Sequence, residues 1–180
     1  MTAKECIEGR RSIRQFTDQP VDRAVIRDIV STASYAPSWK NTQIVRYIAI
    51  DDPTVKNRIA NEGLTIFPGN ASRINSAPVL IAVTAIKGRC GFERDGSYST
   101  LRGDSWQMFD AGVACEAFCL SAYEHGLGTV ILGLFDIDTV SGILNIPGDR
   151  ELIALIPMGY PNESPEAPKR KSVEDLLSFC

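Results

Sequence analysis

Apolar and polar positions along this chain change period several times, and each change marks an element. Thr2 to Glu8 fits a short first helix, with Gly9 placed to loosen its end. Asp22 is a natural N-cap, and Val25, Ile26, Ile29, Val30 and Ala33 then follow the spacing of one helical face. That helix closes near Tyr35 and Ala36, because Pro37 disfavours helical backbone at the residue before it. Ile44 to Ile50 predicts a strand. Asp52 followed by Pro53 joins a cap to a first-turn proline and predicts a helix to about Asn61. Gly63 to Asn70 reads as a loop and Ala71 to Ser76 as a helical turn. Val79 to Ala85 is apolar almost throughout, the pattern of a strand buried on both faces.

The second half begins with a segment of different character. Lys87 to Asp104 carries Gly88, Gly91, Gly96 and Gly103 with scattered charge, and reads as a long lid or binding loop whose Cys90, Phe92 and Tyr98 could touch a substrate. Ser105 to His125 holds the longest helical pattern, with Gly126 where a C-terminal cap belongs. It is apolar on most sides, and Ala111, Gly112, Ala114 and Ala117 let another backbone approach, so it reads as a central or interface helix. Asp136 caps a short helix to Leu144, and Glu151 to Pro157 predicts a second buried strand closing at Gly159, Tyr160 and Pro161. Beyond it, Pro161, Pro165 and Pro168 keep the tail extended, and Val173 to Phe179 fits a short helix or strand.

Length and charge narrow the function classes. A chain of 180 residues suits one domain with a tail. A net charge of −3 argues against nucleic acid or an anionic membrane as a bulk partner. No apolar run approaches the ~20 residues that span a bilayer, and no signal-peptide core precedes Ile7, so a cytoplasmic location is expected. Cys6, Cys90, Cys115, Cys119 and Cys180 form no Cys-x-x-Cys pair and read as buried thiols in a reducing compartment. The single histidine, His125, is best placed as a helix-end cap and excludes most histidine-based metal or triad chemistry. Gly126 to Gly133 precedes a strand, whereas a dinucleotide loop follows one and opens a helix, so a Rossmann site is rejected.

Two stretches carry candidate chemistry. Arg10, Arg11, Ser12 and Arg14 concentrate guanidinium forks and a hydroxyl on an acidic background, a phosphate site or else a basic helix end with a solvated turn. The loop from Ala36 to Gln43 offers Asn41 and Gln43, whose amides can pair with the imide edge of a flavin or pyrimidine, or else tie the loop down. Trp39, Trp106 and Phe67 could stack on a substrate, although aromatic side chains more often serve the core.

Taken in order, these pieces resemble the FMN-dependent nitroreductase family. The resemblance rests on Arg10, Arg11, Ser12, Arg14 and Phe16, then Ala36, Pro37, Ser38, Asn41 and Gln43 leading into a strand. A core helix ending at Gly126-Leu127-Gly128, a strand ending at Gly159-Tyr160-Pro161 and the late cluster Lys169-Arg170-Lys171 complete it, from about Ile7 to Leu177. It implies an α+β fold: a three-layer α/β/α arrangement around a mixed, mainly antiparallel sheet, in a homodimer that exchanges its C-terminal tail. Residues 1–160 would form the FMN-binding domain, and residues 161–180 would pack on the partner subunit. By the same resemblance Arg10, Ser12 and Arg14 meet the FMN phosphate, ribityl chain or pyrimidine edge, with Arg11 beside them. Asn41 binds the flavin ring from the other subunit, with Pro37, Ser38 and Gln43 lining its loop. Leu132 and Gly133 bring backbone groups near the ring, and Arg170 with Lys169 supplies a late phosphate contact.

The implied activity is transfer of a hydride from NAD(P)H through flavin N5 to nitroaromatic, quinone or similar electron-poor acceptors, in ping-pong turns. The cofactor would carry the chemistry, so no side chain is named as catalytic. Two alternatives stand beside it: a non-redox module binding a phosphorylated ligand, and a same-fold flavoenzyme with dehalogenating or flavin-cleaving chemistry.

Overall fold

The strand that reads as buried on both faces lies at the middle of the molecule. The computed structural model describes residues 1–64 and 67–180. Its elements run α1 (Ala3–Gly9), α2 (Arg23–Ala33), β1 (Val45–Ile50), α3 (Pro53–Glu62), α4 (Gly69–Ser76), β2 (Val79–Ile86), α5 (Ser105–Glu124), β3 (Gly128–Thr129), α6 (Ile137–Ile143), β4 (Arg150–Gly159) and α7 (Val173–Leu176). The sheet order is β1-β2-β4-β3, with every neighbouring pair antiparallel. A parallel bridge between Ser12 and Thr129 adds the chain's start to the β3 edge, so the sheet is mixed and mainly antiparallel.

Period-2 alternation along β2 divides the core. Val79, Ile81 and Val83 pack with Ile29 of α2 and Phe118 of α5 on one side. Leu80 and Ala82 pack with Ile59 of α3 and Val140 of α6 on the other. The result is a sheet between two helical layers. Ile29, Ile81 and Phe118 have no accessible surface, and each such side chain contributes about 1.5–3 kcal/mol through burial. No helix among the described residues is long and apolar enough to cross a membrane.

Capping chemistry sets most helix starts as expected. Asp22, Asp52 and Asp136 accept N–H bonds from Ala24, Thr54 and Thr139. At the end of α5, Gly126 adopts φ +74°, and the Leu127 N–H reaches back to the Ala122 carbonyl at 2.9 Å. His125 completes that end: Nδ1 lies 2.9 Å from the Ser121 carbonyl, and Nε2 lies 3.0 Å from Asp28.

Three expectations need correction. The stretch from Lys87 to Asp104 is a folded hairpin rather than a structureless loop. The Glu93 N–H donates to the Ser97 carbonyl at 2.8 Å, and the Phe92 and Tyr98 rings stack 4.9 Å apart. Gly91, at φ +84°, lies where a Cβ would strike the Gly103 carbonyl, so two glycines scattered in sequence meet in space. The turn expected from Ala71 begins earlier, at Gly69, without a side-chain cap to announce it; Thr65 and Ile66, within the predicted loop, lie outside the described residues. Finally, Cys90, Cys115 and Cys119 are buried, but Cys6 is half-buried and Cys180 exposed, because they lie on a surface helix and the tail.

Candidate functional site

The basic stretch is seated by backbone pairing. The Ile13 N–H donates to the Thr129 carbonyl at 2.9 Å, and Phe16 bridges Pro161. Ile13 and Phe16 drop into a small core with Ala77. This is possible because Gly128 and Gly159, paired across β3 and β4, carry no side chains. A Cβ on Gly128 would meet Ile13 at 2.6 Å, and one on Gly159 would strike the Pro78 ring. Gly128 therefore makes room for the neighbouring Ile13 rather than for a phosphate, while Gly126 serves the left-handed end of α5.

The arginines are not equivalent. Arg10 Nε is buried without a hydrogen bond, although it forms an ion pair with the Glu116 carboxylate at 3.7 Å. A buried guanidinium nitrogen left unbonded is costly, which marks Arg10 as holding spare donor capacity. Arg11 instead donates to the carbonyls of Glu8 (2.7 Å) and Arg10 (2.8 Å), capping α1. Arg14 donates to the Ser12 carbonyl at 3.1 Å, while its backbone N–H and that of Gln15 are taken by the Glu163 carboxyl. Leu132 exchanges both backbone bonds with Leu155. Gly133 beside it is exposed, with open space where a Cβ would stand. Lys169 and Arg170 are exposed on the tail and make no hydrogen bond or ion pair among the described residues.

The amide loop is held quite differently. Lys40, Asn41 and Gln43 all have positive φ, +45°, +55° and +46°. Each left-handed non-glycine residue costs about 1–2 kcal/mol, and such strain persists only where surrounding contacts impose it. Asp110 Oδ2 accepts the Trp39 N–H at 2.9 Å, and Ser38 Oγ accepts the Gln43 N–H at 3.1 Å. Arg46 donates to the Gln43 carbonyl at 2.7 Å, and Lys40 pairs with Glu93 of the hairpin at 2.8 Å. Trp39 packs on Trp106 with the rings tilted by 42° and their centroids 4.9 Å apart, so both indoles serve packing here. Gln43 Nε2 donates to Asn41 Oδ1 at 3.1 Å, leaving Asn41 Nδ2 and Gln43 Oε1 unbonded among the described residues: one donor and one acceptor side by side.

Pro37, Ser38 and Gln43 line an open groove of about 670 Å³ between α2, β1 and α5, with Asp110 at its inner end. Arg11 and Ile13 line a separate cavity of about 290 Å³ closed by Tyr123 and Glu163. The two walls thus hang from one helix: the amide turn from Asp110 and Arg10 beside Glu116, roughly 9 Å further along α5.

Sequence reasoning overlooked several residues here. Asp110 is one, and an acid early in a mostly apolar helix was the available signal. Cys90 Sγ donates to the same Asp110 oxygen at 3.1 Å, and burial followed by that bond pushes the thiol up to about 12, so it stays protonated. Asn70 and Arg73 are others. Asn70 Nδ2 donates to the Leu134 carbonyl at 3.3 Å and Arg73 donates to Asn70 Oδ1 at 2.5 Å, placing a further guanidinium beside the 132–134 turn. Their spacing of three on α4 puts them on one face.

Comparison with known proteins bears on the family and the fold. The model of the Nitroreductase family matches residues 7–68 and 65–160. A Bacillus subtilis (strain 168) protein provisionally named NAD(P)H nitroreductase YfhC is 28% identical, over 97% of this chain and 92% of its own. The iodotyrosine deiodinase of Nematostella vectensis is 27% identical, over 95% of this chain and 72% of its own. Among solved structures, an FMN-dependent nitroreductase from Clostridium difficile R20291 superposes with a TM-score of 0.78 at 22% identity, covering 98% of both chains. That last likeness speaks to the fold.

Proposed function

The chain belongs to the nitroreductase family of flavin-dependent oxidoreductases, and from that premise we propose that it binds FMN and uses NAD(P)H to reduce electron-poor acceptors such as nitroaromatics and quinones. The observation that carries this reading is Arg10, whose buried Nε has no hydrogen bond and whose neighbours Ser12 and Arg14 sit on the same sheet edge. A dianionic phosphate matches that set, because guanidinium forks bind phosphate oxygens two at a time. The donor and acceptor left free on Asn41 and Gln43 match the imide edge of a flavin ring.

Arg11 and Ile13 of the basic stretch and Ser38 and Gln43 of the amide turn line different cavities of one chain, which supports reading a single site that uses both stretches as one built from two copies. In that homodimer Arg10, Ser12 and Arg14 hold the phosphate end, Asn41, Pro37, Ser38 and Gln43 arrive from the partner, and Leu132 and Gly133 offer backbone groups. Arg11 flanks them, while Lys169 and Arg170 reach the site once the tail, residues 161–180, packs on the second copy. The exposed Val173, Leu176, Leu177 and Phe179 give that tail its reason to pack. When bound, FMN would supply the redox chemistry, hydride exchange between NAD(P)H and the acceptor, and the residues named above would hold it in place. The protein's part is to bind, orient and exclude water. Guanidinium charge near the ring would also favour the anionic reduced cofactor.

Purified protein is expected to be yellow or to turn yellow with FMN, and to oxidise NADH or NADPH when an acceptor is added. Arg10→Ala should weaken FMN binding about 10- to 100-fold, the worth of one charge-assisted hydrogen bond, without lowering the melting temperature of the cofactor-free protein. A wild-type protein that takes up no FMN would overturn the reading. A second reading keeps the flavin and changes the acceptor to a halogenated phenol, favoured by the Nematostella relative. Adding iodotyrosine to the acceptor panel and measuring iodide release decides between them.

A further inference from the structure

The function proposed above gives the amide turn a task but not a reason to hold its shape. Lys40, Asn41 and Gln43 all sit in left-handed backbone without a glycine, and Trp39 Nε1 and Thr42 Oγ1 are buried with no hydrogen bond. Left alone, such a turn would relax. Beside the Ser38, Arg46 and Glu93 contacts, the restraint on the start of the turn comes from Asp110, 4% exposed in the second turn of α5. Its Oδ2 accepts the Trp39 N–H, the first amide of the turn, and also the Cys90 S–H from the hairpin of residues 87–104. Burying a carboxyl against an apolar helix is expensive unless its bonds are made. Here no cation contacts it among the described residues, and both bonds it makes lead toward the turn or toward the hairpin braced on it by Lys40 and Glu93. The expense is therefore linked to position rather than to charge pairing.

We propose that Asp110 is a positioning residue: by holding the Trp39 amide, it anchors the turn in which Lys40, Asn41 and Gln43 take left-handed backbone, and so sets where the Asn41 and Gln43 side-chain amides point. This rests on the flavin reading for its purpose, but the restraint itself is a property of the chain. It also gives the 87–104 hairpin a role, since Cys90 orients the carboxyl and Glu93 steadies Lys40.

The test compares Asp110→Ala, Asp110→Asn and Asp110→Leu in the full-length protein. Asparagine keeps an acceptor oxygen, alanine removes it, and leucine removes it while filling the buried space. Two readouts are taken: hydrogen exchange of the Trp39–Gln43 amides relative to the rest of the chain, and FMN binding with the flavin absorption band. Alanine and leucine variants should exchange faster within the turn alone, bind FMN about tenfold more weakly and shift the band, whereas asparagine should stay close to wild type. Unchanged exchange in the turn, or equal damage from asparagine and alanine, would overturn the proposal. Should wild-type protein fail to bind FMN, the cofactor reading falls, and the exchange pattern still decides the role of Asp110. If alanine prevents folding, leucine against asparagine carries the comparison.

Discussion

Residues 10–16 lie along a sheet edge in ordinary extended pairing, whereas residues 38–43 are bent into a shape their side chains resist. The first region borrows its order from β3 and β4, and its requirement is empty space: Gly128 and Gly159 let Ile13 and Phe16 approach. The second borrows its order from single contacts, Asp110 to Trp39, Ser38 to Gln43 and Lys40 to Glu93. The seat of the first region is sensitive to crowding at its glycines and to truncation of the side chains it buries. A strained turn tolerates crowding, since it faces an open groove, but not the loss of a latch. Two walls of one proposed pocket are thus sensitive to different kinds of mutation.

The strongest way to break this contrast is at the glycine seat. Ile13→Ala should cost about 2–5 kcal/mol and Gly128→Ala about 1–3 kcal/mol in denaturant unfolding. Together they should cost less than their sum, because Ile13→Ala removes the Cγ1 and Cγ2 atoms that the new Cβ would strike and leaves only the Cβ contact. Strict additivity would mean that the basic stretch is not seated there. In the turn the sign reverses. Lys40→Gly makes positive φ free and should raise stability by about 0.5–1 kcal/mol, even though the exposed pair with Glu93 is lost. A lower melting temperature would count against stored strain.

The smallest effect is a pH response. Hydrogen bonds from Lys40, then Ser99, hold the Glu93 carboxyl below its usual range. A depressed carboxyl contributes above its unfolded value and loses that contribution as pH falls through its folded one. The Lys40 ammonium lies 5.7 Å from the centre of the Trp39 ring, so tryptophan fluorescence should change as Glu93 is protonated on the acid side of the ordinary glutamate range. Glu93→Gln should abolish that step; an identical step in the variant removes Glu93 as its source.

Much of the architecture was legible because β2, β4 and the helices carry their burial in their apolar pattern, and α2, α3 and α6 announce their starts with Asp caps. The basic stretch was legible as charge against an acidic background. Its seat was not, since the pairing of Ser12 with Thr129 joins positions far apart in sequence through backbone alone. The turn was legible as amides but not as strain: no glycine marks a left-handed residue when Lys40 and Gln43 take that role. Asp110, Asn70 and Arg73 were missed because their importance lies in what they touch, and the hairpin because Gly91 meets Gly103 only after folding.

One further consequence belongs to β1. It has a single neighbour in the sheet order, β2, so its other side presents roughly 20 Å of main chain along residues 45–50. Such an edge is adhesive toward any extended segment that comes alongside. Its influence grows with concentration: dilute samples leave the edge to water, and crowded refolding mixtures offer it other chains. The ratio of ordered assembly to aggregate on refolding should therefore track protein concentration, with β1 as the place where the two outcomes compete.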